Sequence, residues 1–126
     1  MPVGKEIGAF KGTFTSVRTC EINGDDGVVE GTYTAKVSGQ LAGTAVGTLT
    51  FSGANSGGTL SDLGTGYLDS GDAVNYKGQG VYWSGKHGAW ETRAAVLMRD
   101  QMVVAESQIK MKDGEFSLSG KLFELT

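Results

Sequence analysis

The chemistry open to this chain is bounded by a short inventory: one histidine, one cysteine, four tyrosines, two tryptophans, and an arginine on an otherwise apolar strand face. His87 lies in the turn Gly85-Lys86-His87-Gly88, so a His-based triad would need that turn to fold over an acid and a nucleophile brought from elsewhere. A solvated turn residue is the simpler reading. There is no Gly-x-Ser-x-Gly elbow. Gly78-Gln79-Gly80 runs into the strand-forming Val81-Tyr82-Trp83, whereas a dinucleotide fingerprint needs a helix whose N-terminus faces the pyrophosphate. Asn23-Gly24-Asp25-Asp26-Gly27 is rich in carboxylates but lacks the alternate-ligand spacing and the distal Glu that close a calcium loop. With one Cys and one His, a zinc site would have to be completed by carboxylates, an uncommon ligand set. The expectation is no metal and no cofactor, and no residue pattern assigns a catalytic group.

What remains are polar and aromatic residues whose alternation places them on an inward strand face. Arg18 shares its parity with Phe14 and Ile22. Pointing inward, its guanidinium would need a buried carboxylate or an anionic ligand group; a bulge before it would turn it outward instead. Tyr33, Tyr76 and Tyr82 share faces with Ala35, Gly78 and Gly80, which either leaves space beside phenolic hydroxyls or simply fills a core. Trp90 is in line with Ala94, Val96 and Met98, while Glu91 and Arg93 share the opposite face as a solvated same-strand pair. The candidate ligand-binding set is therefore Arg18, Tyr33, Tyr76, Tyr82 and Trp90. Trp83 has the opposite parity to Tyr82, so with the tyrosines inside it lies outside beside Val81, an apolar strip of the kind that marks subunit contacts.

The elements that position these residues are short alternating runs separated by Gly- and Asp-rich turns. Residues 10–22 alternate as a first strand, and Val28 to Val37 as a second. A third runs from about Ala45 to Ser52, and Gly53 to Gly58 is a flexible loop. Thr59–Leu68, Ala73–Ser84, Ala89–Met98, Met102–Met111 and Phe116–Leu125 complete eight strands, with residues 1–9 as a flexible N-terminal segment. Leu97 to Ile109 has some helical propensity, but its Val103, Ala105, Ser107, Ile109 alternation favours a strand. Closing an antiparallel meander pairs every edge, so the expected fold is all-β: a single-domain, eight-stranded up-and-down barrel over residues 1–126. Glycines inside strands (Gly12, Gly31, Gly47, Gly64, Gly78) fit the coiling such a barrel needs.

Two stretches, Gly64 to Trp83 and Asp113 to Leu125, carry a glycine-bracketed hairpin and a final Gly-Lys-aromatic strand. In these the chain resembles small uncharacterised prokaryotic β-barrel proteins, similar in architecture to allene-oxide-cyclase-like or lipocalin-like barrels. That resemblance implies an interior that binds, or cyclises, a small apolar molecule. It supplies no catalytic residue that matches position by position.

Composition narrows the partners. A net charge of −3 with both signs interspersed leaves no basic stripe for nucleic acid. Apolar runs of only a few residues are too short for a membrane-spanning helix. A single cysteine and a start without a secretory pattern point to the cytoplasm. The readings that follow are a small-molecule-binding barrel for an apolar or weakly acidic ligand, a cyclase or isomerase of a small apolar substrate, or a ligand-free structural barrel. Self-association as a dimer or trimer is expected with any of them.

Overall fold

A computed structural model describes residues 3–86, 88–99 and 101–125. Among these residues there are eight strands and no helix: β1 (Val3–Asn23), β2 (Asp26–Gly39), β3 (Gly43–Ala54), β4 (Gly57–Leu68), β5 (Ala73–Ser84), β6 (Ala89–Met98), β7 (Gln101–Lys112) and β8 (Glu115–Leu125). Each strand pairs antiparallel with its sequence neighbours, and β8 returns to β1, so the sheet closes as an up-and-down barrel. The β1–β2, β3–β4, β5–β6 and β7–β8 turns gather at one end, called here the hairpin end; the other three turns, with the start of β1 and the end of β8, form the opposite end. The helical alternative for 97–109 gives way to the Met98–Gln101 turn and β7.

Turn chemistry sets the hairpins. Asp113 and Gly114 both take positive φ, 54° and 78°, the geometry whose twist matches that of the flanking strands. Two boundaries differ from the sequence reading. The Gly53–Gly58 loop shrinks to a tight turn at Asn55-Ser56, because Gly53 and Gly58 pair with each other across β3 and β4. Residues 3–9, expected to be flexible, are the start of β1 and pair with β8 from Val3–Leu125 onward. Their alternation is masked in sequence by the charged Lys5-Glu6 step and by a register shift on each side of Glu6. Ile7 is nonetheless buried in the core.

The stagger of the strands decides how much interior remains. The register, followed once around the barrel from Asn23 through Asp26, Ala54, Gly57, Trp83, Glu91, Gln108 and Ser119, returns to β1 at Lys11, twelve residues from its start. Tilt of this kind widens a barrel, and eight strands already enclose a space that can hold a small ligand. It also leaves β1 beyond Thr13 without a β8 partner, so the hairpin end is partly open along that edge.

Candidate functional sites at the two ends of the barrel

Four strands contribute one cross-strand row: Tyr33 on β2, Gly47 on β3, Gly64 on β4 and Tyr76 on β5 stand side by side. The two glycines carry no side chain, so the two tyrosines lean over them from either side and their hydroxyls meet in a short hydrogen bond. A Cβ on Gly47 would sit 2.6 Å from the Tyr33 hydroxyl oxygen, and one on Gly64 would collide with that of Tyr76. Glycine is required at both positions by this close approach. Two residues along β4 from Gly64, on the same face, Asp62 accepts a hydrogen bond from the Tyr33 hydroxyl at 2.8 Å.

The direction of this chain follows from proton counting. Tyr33 has one hydroxyl proton and gives it to Asp62, so Tyr76 donates to Tyr33 and presents only lone pairs beyond it. Burial pushes the Asp62 carboxyl up to about 6, against the opposing pull of the Tyr33 hydrogen bond. Burial, with the Asp62 charge added, raises Tyr33 and Tyr76 well above the usual phenol range, so both stay protonated. The group lines an inner chamber of about 120 Å³ toward the end opposite the hairpin end, otherwise walled by residues such as Leu49, Leu60, Val74, Val96 and Leu118. Across the chamber the Thr92 and Ser107 hydroxyls bond each other as cross-strand partners. No Lys or Arg lines it.

At the hairpin end a second, wider space of about 720 Å³ opens above the aromatic side chains Phe14, Phe51, Tyr82, Trp90 and Phe116. Phe14 and Trp90 both pack on Phe116, and Phe51 meets Tyr82 edge-on at 5.3 Å between centroids. The polar atoms of the two amphipathic rings on its floor are already engaged. The Tyr82 hydroxyl donates to the Ala54 carbonyl at 2.7 Å and the Trp90 indole Nε1 donates to the Asn55 carbonyl at 2.9 Å, so both rings are pinned to the β3–β4 turn.

The five residues expected to form one site therefore divide. Tyr33 and Tyr76 belong to the inner chamber, Tyr82 and Trp90 to the cup. Arg18 belongs to neither: its side chain is 73% exposed and pairs with Glu30 at 3.3 Å on the outer face. The cause is a register shift in β1 between Phe14 and Ser16, which reverses the parity, so that Val17 and Thr19 line the cup and Arg18 faces out. Trp83 and Val81 are outside as their parity required, 45% and 48% exposed. Arg93 is also outside, but its partner is Glu106 on β7 at 3.0 Å, and Glu91 accepts a hydrogen bond from Gln108.

No protein-family model and no curated protein matches the chain. Among solved structures it is similar to the crystal structure of a protein with unknown function from Clostridium acetobutylicum ATCC 824, at 14% identity and a TM-score of 0.68 over the whole of both chains. At that identity the likeness carries the barrel fold alone.

Asp62 is the functional candidate that the sequence reading missed. Its signal was present: it sits between Leu60 and Gly64 on the inward face of β4, a carboxylate where alternation calls for an apolar residue. The cup's Phe14, Phe51 and Phe116 were visible as apolar positions, but not as a group. His87 lies outside the described residues. Among the described residues no three His, Cys, Asp or Glu side chains converge as a metal would need.

Proposed function

We propose that the protein binds a compact, largely apolar molecule carrying one hydroxyl, such as a phenol or a small alicyclic alcohol, in the inner chamber. The observation that carries this reading is the Asp62–Tyr33–Tyr76 chain, which ends in an acceptor inside a largely apolar space whose other side-chain hydroxyls, on Thr92 and Ser107, bond each other. A chamber of about 120 Å³ is close to the roughly 150 Å³ that accommodates a benzene ring elsewhere. With Asp62 ionised near neutral pH, both phenolic protons point toward the carboxylate, and a ligand hydroxyl donated to the Tyr76 oxygen completes the chain. A weakly acidic phenol suits this acceptor. A carboxylate ligand does not, because the cation it would need, Arg18, is on the outer face. The interior space also favours a ligand-holding barrel over a filled structural one, in line with the habit of the lipocalin-like and allene-oxide-cyclase-like barrels that the chain resembles.

Phenol, toluene and benzoate, compared by calorimetry and thermal shift, test this. A ligand that binds only the native state raises stability by mass action. Phenol is expected to bind about tenfold tighter than toluene, consistent with one hydrogen bond in a largely apolar site, and benzoate not at all. Tyr76→Phe should keep toluene binding and erase the preference for phenol. The absence of phenol binding, or a preference that survives Tyr76→Phe, would overturn the reading.

A second reading, an isomerase or cyclase, is favoured by one feature: a carboxyl pushed to about 6 inside an apolar chamber is suited to take a proton from a bound substrate near neutral pH. It is distinguished by turnover that follows the ionisation of Asp62 and is lost in Asp62→Asn. We also propose a cytoplasmic dimer or trimer, assembled through the outward strip at Val81 and Trp83, with the free, exposed Cys20 in keeping with a reducing compartment. Light scattering that returns the 13.1 kDa monomer mass at micromolar concentration would remove the oligomer.

A further inference from the structure

The cup at the hairpin end offers a ligand an unusual combination. Its floor is a cluster of aromatic side chains, and the donors that Tyr82 and Trp90 would present are consumed by the Ala54 and Asn55 carbonyls. Those two residues therefore contribute aromatic rings without free donors, and ring faces carry negative quadrupole potential. The charged side chains that line the space are Glu21, Asp25 and Asp26; no Lys or Arg does so, and none of the three carboxylates enters an ion pair among the described residues. The field of Asp26 reaches into the cup, for it contributes, after burial, to raising the Tyr82 phenol. A space of about 720 Å³ lies within the range of small-molecule sites and is several times larger than the inner chamber.

We propose that this cup is a second binding site, for an organic ammonium ion attached to an aromatic or bulky apolar body. The apolar body rests on Phe14, Phe51 and Phe116. The ammonium group lies over the Trp90 and Tyr82 rings, where a cation is attracted electrostatically, and the three carboxylates at the mouth select against anions. Neutral molecules gain only the apolar part of this interaction.

The site does not depend on the inner chamber, and the test separates the two. The probes are (2-naphthylmethyl)trimethylammonium, 2-naphthylmethanol and 2-naphthylacetate, whose fused ring is larger than the benzene-sized space inside. Isothermal titration at low salt is expected to rank the cation about tenfold or more tighter than the alcohol, with the carboxylate weakest. The double variant Glu21→Gln/Asp26→Asn, altered only at exposed positions, should bring the cation and the alcohol within about threefold of each other, while Tyr76→Phe in the inner chamber should leave the ranking intact. Equal affinities, a preference for the carboxylate, no binding of any probe at millimolar concentration, or a cation preference that survives the double variant would overturn the proposal. So would loss of that preference in Tyr76→Phe, which would place the probe in the inner chamber.

Discussion

The two ends of this barrel are built from the same alternating strands and yet differ in what they can hold. In the inner chamber the alternation is unbroken: Tyr33, Gly47, Gly64 and Tyr76 fall into one row, and Tyr76 and Tyr33 are joined in a single hydrogen-bond chain ending at Asp62. At the hairpin end β1 is interrupted by register shifts and runs past the end of its pairing with β8, and the space widens into an aromatic cup whose charges lie at the rim. Regular register makes a small, largely apolar, directional site; irregular register makes a wide one in which direction comes from charge. The carboxylates show the difference. Asp62 is held up to about 6 by burial, whereas the rim acids are solvated.

The largest expected effect breaks the comparison at its titrating group. Asp62 has a higher pKa in the folded protein than in the unfolded chain, so its protonated form is the one that folding favours. Its contribution is fully present below about pH 4 and is lost as pH rises through about 6. Asp62→Asn, which keeps an acceptor for Tyr33 and carries no charge, should therefore leave stability unchanged at pH 3.5 and raise it by roughly 3 kcal/mol at pH 8. Urea denaturation across that range checks this.

Gly64→Ala comes next. Its Cβ would drive the Tyr76 hydroxyl off its seat, and overpacking of this kind costs about 1–3 kcal/mol. It should also remove the preference for phenol over toluene, which calorimetry reads directly.

A pair of deletions sharpens the contrast further. Tyr82→Phe in the cup loses one hydrogen bond to a neutral carbonyl and should cost about 1 kcal/mol, equally at pH 4 and pH 8. Tyr33→Phe in the inner chamber removes the donor to Asp62, so its cost should be larger at pH 8, where the carboxylate is ionised, than at pH 4. Equal pH dependence in the two variants would contradict the assignment of the Tyr33 proton.

How far the sequence went follows the same division. Eight strands, their order and the inward parity of Tyr33, Tyr76 and Tyr82 were legible, because alternation and Gly-Asp turns are local signals. The Tyr-Gly-Gly-Tyr row was not, since it needs the register of four strands at once, although each of its members stood out singly. Asp62 was legible by parity and was missed because a lone Asp among Ser, Thr and Gly reads as strand-surface polarity. Arg18 failed for the opposite reason: one extra residue near Thr15 reverses the side chains from Ser16 to Thr19, until a second shift before Glu21, and nothing in Phe14-Thr15-Ser16-Val17 marks the place. The smallest expected effect belongs here. Arg18→Met removes an exposed pair with Glu30 and should leave both stability and ligand ranking within measurement error.

The most direct measurement is the ionisation of Asp62 itself, followed by carbon NMR of its carboxyl in the free protein and with saturating phenol or toluene. The midpoint is expected at about pH 6 in the free protein. Phenol should lower it, since a hydroxyl donated to Tyr76 stabilises the ionised end of the chain, and toluene should not. A midpoint in the ordinary carboxylate range, or one that phenol leaves where it was, would contradict an inner chamber organised around Asp62.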